Sequence, residues 1–169
     1  MVTLDEKLES VSRKKLAELA MDSSARNIAV YSQMLMDELG KERAMEVIYK
    51  KRFDDSFKIG KRNAERAGKE KTEDLASLSE SESFDNPFVV PHEVVELTET
   101  RYVSTTKGCL IGEAILRLNL DKDLLDLVKL WCTHDFGRLA GWNPKIKLTK
   151  PRFLLDGDDL CEFVHELEK

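Results

Sequence analysis

Asp121–Asn143, DKDLLDLVKLWCTHDFGRLAGWN, is the stretch on which the fold turns. Asp121 suits a helix N-cap, and Gly141 with Asn143-Pro144 suits a stop. Between them Leu124, Leu125, Leu127, Val128, Leu130, Trp131, Phe136 and Leu139 leave almost no polar face. A helix that apolar must be covered on most sides, so the stretch reads as the central helix of a core. It nevertheless carries Cys132, His134 and Asp135. Leu125, Val128, Cys132, Asp135 and Leu139 fall at helical spacing, which sets Cys132 and Asp135 on one apolar face. A carboxylate placed there must find a partner or shift its pKa.

The flanks supply what such a helix packs against. Downstream, Ile146 and Leu148 alternate with lysines, and Phe153 and Leu155 continue a strand past Pro151, which marks an edge or a bulge. Asp156-Gly157 predicts a hairpin, and Leu160–Leu167 a strand with Cys161, Phe163, His165 and Leu167 on one face. Upstream, Glu93–Leu97 and Arg101–Thr106 are rich in β-branched residues and flank a short turn, a second hairpin. Gly108-Cys109 ends it, and Ile111–Leu118 reads as a short helix. The C-terminal half is therefore β-β-α-α-β-β, an antiparallel sheet packed on the central helix, in an α+β class.

The N-terminal half is helical. Residues 3–22 carry a stripe of Leu4, Leu8, Val11, Leu16 and Leu19, and Asp22-Ser23-Ser24 interrupts it. A second helix runs to Leu39, where Gly40 stops it. A third spans Lys41 to Ala67. Gly60 in its interior costs about 1 kcal/mol, which a close helix contact or a break would explain, the contact being preferred. Thr72–Leu78 predicts a short helix, and SESESFDNP (79–87) an exposed connection. The chain divides into a helical region, 1–85, and an α+β core, 86–169, as one integrated unit.

Composition narrows the function. The 169 residues include 27 basic and 32 acidic ones, for a net charge of -5. That balance argues against non-specific nucleic-acid binding as the main task, a local basic patch aside. The runs Lys50-Lys51-Arg52 and Lys61-Arg62 read as solvated helix faces. There is no membrane-length apolar run, and MVTLDEKLES has no signal-peptide core, so a cytoplasmic location and no membrane partner are expected. Cys109, Cys132 and Cys161, an odd number, argue against a disulfide framework. The N-terminal helices, over residues 3–39, offer a homodimer surface.

Several residues carry chemistry. Cys109 sits at a helix N-terminus, where the dipole lowers a thiol pKa, and is a candidate reactive or substrate-contacting thiol. Asp135 is the candidate general base or the anchor for a cationic substrate group, with burial expected to raise its pKa. A structural carboxylate satisfied by backbone amides, Arg138 or Arg152 is the plainer reading. Cys109, Cys132 and Cys161 with His134 or Asp135 form an alternative set for zinc or another metal. No C-x-x-C pair supports it, and helical geometry turns His134 away from Cys132, so no cofactor is favoured. The Asp156–Phe163 turn lacks calcium-loop spacing. His92 and His165 read as surface or satisfied histidines.

Taken in order, Cys109, Trp131-Cys132, Asp135, Asn143-Pro144, Gly157-Asp158 and Leu160-Cys161-Glu162-Phe163 resemble the L-2-amino-thiazoline-4-carboxylic acid hydrolase-like family. Glu38–Phe57, ELGKERAMEVIYKKRFDDSF, is similar to that family's helical N-terminal part. The closing segment is also similar to the end of 4-vinyl reductase domains, small-molecule-binding modules. One departure is Leu110, where the family usually has proline after the first cysteine. The resemblance implies hydrolysis of a cyclic amidine or amide bearing a carboxylate, with Cys109 and Asp135 catalytic. Arg101, Arg138, Arg152 and Cys161 would bind the substrate. A non-catalytic small-molecule or metal sensor is the alternative it leaves.

Overall fold

The computed structural model describes residues 12–68, 72–83 and 90–168. Two long helices open it. α1 (Arg13–Leu39) is capped by the Ser12 side chain, which accepts from the Lys15 amide, and ends at Gly40. α2 (Lys41–Ala67) ends at Gly68, as the glycine spacing predicts. Residues 22–24 do not break α1, contrary to expectation. The Ser24 hydroxyl donates to the Ala20 carbonyl, 2.9 Å away, so the polar residues bond back within the helix instead of capping a new one. The residues of the predicted stripe before Ser12 lie outside the described residues.

α3 (Leu75–Ser83) begins three residues later than predicted, because Asp74 caps it through the Ala76 and Ser77 amides. Residues 79–83 of the expected connection are therefore helical. The boundary set near residue 85 falls outside the described residues. A hairpin follows, β1 (Glu93–Leu97) and β2 (Arg101–Thr106), with the predicted limits. Gly108, at φ +77°, turns the chain from β2 into α4 (Leu110–Arg117).

The central stretch departs most from expectation. Asp121 does cap it, accepting from the Leu124 amide at 2.9 Å. It is not one helix, however. α5 (Lys122–Lys129) gives way to a 3₁₀ turn at Leu130–Thr133, and α6 (His134–Trp142) follows. β3 (Ile146–Arg152), a 3₁₀ turn at Leu154–Asp156 and β4 (Cys161–Leu167) complete the chain. The strand predicted through Phe153 and Leu155 is replaced by that turn, and Gly157 adopts φ +102° after it.

The four strands form one antiparallel sheet in the order β1-β2-β4-β3. Pro151 sits at a register shift on the edge strand β3, as its missing N–H requires. The inner face carries Tyr102, Ser104 and Thr106 from β2, and Cys161, Phe163 and His165 from β4, all buried. α6 lies against this face and packs on its other side against α2. There Gly60, Gly137 and Gly141 let the two backbones meet. A Cβ on Gly60 would stand 1.9 Å from the Arg138 carbonyl oxygen, and one on Gly137 would stand 2.4 Å from that of Phe53. The architecture is α+β, and helices from both halves border the same core: Ala25 and Ala29 of α1 join Ala114, Val128 and Leu155 in one buried cluster.

Candidate functional site

A cavity of about 320 Å³ opens between the end of the sheet and the helices that cover it. Its floor is the inner face of the sheet, through Thr106, Lys150, Cys161 and Phe163. α6 supplies His134, Asp135 and Arg138, and the 3₁₀ turn supplies Cys132. Cys109 and Ile111 enter at the start of α4, Met21 from α1, Phe153 after β3, and Val90 and His92 ahead of β1.

The strongest electrostatic feature is a chain of charges running from the mostly buried Lys150 and Asp135 to the half-exposed His134. Lys150 Nζ donates to Asp135 Oδ2 at 2.5 Å and to the Cys132 carbonyl at 3.2 Å. The two side chains are only 9% and 17% exposed. Three rings surround the ammonium, Phe163 at 5.0 Å, Phe136 at 5.2 Å and Phe153 at 5.4 Å, each presenting a π-face suited to a cation. His134 Nε2 donates to the other Asp135 oxygen at 3.0 Å, and its Nδ1 donates to the Trp131 carbonyl at 3.1 Å. Both partners are acceptors only, so the ring is held with both nitrogens protonated.

These contacts reverse one expectation. Burial opposes ionisation of Asp135, as anticipated, but His134 and Lys150 outweigh it and hold the carboxyl well below the usual range. The partners are Lys150 and His134, not backbone amides, Arg138 or Arg152. His134 is raised in turn: burial acts against its charge, and Asp135 beside it prevails.

The thiols behave in the opposite sense to the dipole argument. Cys109 is the N-cap of α4, yet burial pushes its thiol up, with the amides of Gly112 and Ile111 offsetting only part. Burial likewise raises Cys161, whose sulfur accepts from the Leu154 amide at 3.5 Å, and pushes Cys132 up to about 12. All three cysteines are free thiols on the wall of the one cavity. Among the described residues no group of three or more His, Cys, Asp or Glu side chains is arranged to hold a metal ion.

The predicted arginines separate. Arg138 borders the cavity. Arg101 lies outside it, paired with Glu96 at 3.2 Å and Glu166 at 2.8 Å. Arg152 pairs with Asp159, also away from the cavity. His165 is buried, stacked on Tyr102 with ring centroids 4.8 Å apart. His92, read as a surface or satisfied histidine, is satisfied: it bonds Thr106 Oγ1 through Nδ1 at 3.1 Å, and it borders the cavity.

Lys150 was not singled out from sequence. The signal was present, because Ile146, Leu148, Lys150 and Arg152 share one parity and the first two are the apolar positions of β3. The 3₁₀ turn narrows the angle between Cys132 and His134 relative to an ideal helix, and both border the cavity.

Comparison with known proteins adds family and fold. The family model described as L-2-amino-thiazoline-4-carboxylic acid hydrolase matches residues 20–165. No curated protein matches the chain in sequence. Two solved structures share the fold. One is trafficking protein particle complex subunit 3 from Naegleria fowleri, covalently bound to palmitic acid. It is 12% identical with a TM-score of 0.56, over 89% of this chain and 96% of that one. The other is the phenol-responsive sensory domain of the transcription activator PoxR with phenol. It is 14% identical with a TM-score of 0.56, over 85% of this chain and 74% of that one.

Proposed function

The chain belongs to the L-2-amino-thiazoline-4-carboxylic acid hydrolase family, and on that footing we propose that its cavity hydrolyses a small cyclic amidine or amide bearing a carboxylate. One observation carries this reading: a thiol at a helix N-terminus, Cys109, shares a cavity with the ionised Asp135–Lys150 pair. Water and substrate can meet a nucleophile and a cationic wall in the same space.

In this reading Cys109 Sγ attacks the carbon between the ring nitrogen and the ring sulfur. The ring C–S bond breaks, and the departing sulfur takes up the proton released by the thiol. Water then adds to the same carbon, the Cys109 sulfur leaves with a proton, and the product is the ring-opened carbamoyl compound. Lys150 and Arg138 provide the positive charge that holds the substrate carboxylate. Asp135 changes role from the sequence expectation. A carboxyl held so far below the usual range is a weak base, so it serves to position Lys150 and His134.

The test is turnover of 2-amino-thiazoline-4-carboxylate. Cys109→Ala should lower kcat by at least about 100-fold, and Asp135→Asn by a smaller factor with a raised KM. A Cys109→Ala protein that retains the wild-type rate would remove the thiol from the mechanism.

A second reading is supported by the state of the thiols. Burial raises all three, which suits a pocket that binds without reacting. A non-catalytic small-molecule sensor would show ligand-induced thermal stabilisation with no product, and the fold likeness to a phenol-responsive domain accords with it.

A further inference from the structure

We propose that His92 is the general base that takes the Cys109 proton, held for that task by Thr106. The inference rests on the thiol reading above and adds the residue it lacks. A thiol that burial keeps protonated attacks only if a neighbour accepts its proton as the bond forms.

The other groups on the wall are poor acceptors. Lys150 and His134 are already donors to Asp135 and to backbone carbonyls, so both carry their protons. Arg138 has none to gain. Asp135 is engaged by two cations. Cys132 and Cys161 are themselves buried thiols. His92 remains.

Its placement follows from strand register. Glu93 pairs with Thr105, which sets His92, one residue earlier, beside Thr106; Thr106 pairs in turn with Cys161. The three residues form a row across neighbouring strands, about 4.8 Å apart, and Cys109 follows Thr106 by three residues at the same end of the sheet. Phe163 meets the imidazole edge-on, with centroids 5.8 Å apart. The bond to Thr106 occupies Nδ1. In the tautomer that the proposed role requires, Nδ1–H donates to Oγ1 and the lone pair lies on Nε2.

The proton then completes a cycle. It passes from Cys109 Sγ to His92 Nε2 as the Sγ–C bond forms, and from Nε2 to the ring sulfur as the C–S bond breaks. The attacking water later returns a proton to Nε2, and the Cys109 sulfur takes it on leaving. Nothing is oxidised, and one water is consumed.

The experiment reads the thiol directly. In the full chain with Cys132→Ser and Cys161→Ser, Cys109 is the sole thiol, and its alkylation by iodoacetamide is followed from pH 5 to 10. The expected profile has two rises, a lower one contributed by the imidazole and an upper one where the thiol itself ionises. His92→Gln should delete the lower rise and leave the upper one. Thr106→Val, nearly isosteric, should weaken the lower rise without removing the imidazole, so the question remains answerable if His92→Gln fails to fold. A single rise in the parent, or a profile that both substitutions leave unchanged, overturns His92 as the base. Neither result depends on turnover, so failure here is distinct from failure of Cys109→Ala to impair hydrolysis.

Discussion

Lys150 is the side chain on which the charged wall depends. Replacing it by Met leaves Asp135 buried with His134 alone and should cost about 3–5 kcal/mol in urea unfolding. Lys150→Met with Asp135→Asn should recover part of that loss, since no unpaired charge stays inside. The pH dependence has two signs. Asp135 is depressed in the folded state, so its contribution is full above the unfolded value near 4 and is lost as pH falls through the lower folded value. His134 is raised, so its contribution is full below about pH 6.5 and fades as pH rises through the folded value. Melting temperature measured against pH should therefore fall on the alkaline side in wild type, and His134→Gln should flatten that fall. Much of this wall was legible in the sequence. Cys109, Cys132, Asp135 and Cys161 were named from residue type and spacing and Arg138 as a substrate contact through the family resemblance, and the structure brings them to one cavity. Lys150 and His92 were not, because identifying a charged residue's partner requires knowing which strands are neighbours.

The contact between α2 and α6 contains three glycines where side chains would ordinarily interdigitate. Substituting Gly137 or Gly60 by Ala should raise intrinsic helix propensity by about 1 kcal/mol. The new methyl would nevertheless meet backbone at 2.4 Å or 1.9 Å. The net effect should be a loss of at least 2 kcal/mol in chemical denaturation, since neither backbone has room to withdraw. A neutral or stabilising result would mean the helices are further apart than described. The sequence pointed to this contact through Gly60 alone, since glycine inside a polar, well-patterned helix needs a reason. It did not reveal the interruption at Leu130–Thr133, where every residue type tolerates an α-helix and the break follows from tertiary packing. The two hairpin limits were legible because β-branched runs and turn residues are local signals. The 3₁₀ turn at Leu154–Asp156 lies between strands whose spacing is set by the sheet.

For the whole molecule, the cavity draws side chains from α1, the sheet and α6, so its walls come from both halves of the chain. Loss of either half would expose the buried cluster that α1 shares with α4 and α5. Unfolding should therefore be a single transition, with far-UV and near-UV circular dichroism superimposing across urea concentration. Two separated transitions would divide the chain near the boundary drawn from composition. Among the described residues no helix is long and apolar enough to cross a membrane.

The 3₁₀ turn inside the central stretch acts as a phase adjuster. Each residue there advances the spiral by roughly 120° rather than 100°, so four residues rotate everything after them by about 80°. That rotation is what aims α6 at the same void that Cys132 faces. Lengthening or shortening this one turn would re-index which α6 side chains meet a bound molecule, while leaving the sheet and the long helices intact. A family built on this scaffold thus has a dial for changing ligand preference that needs no substitution in the cavity itself.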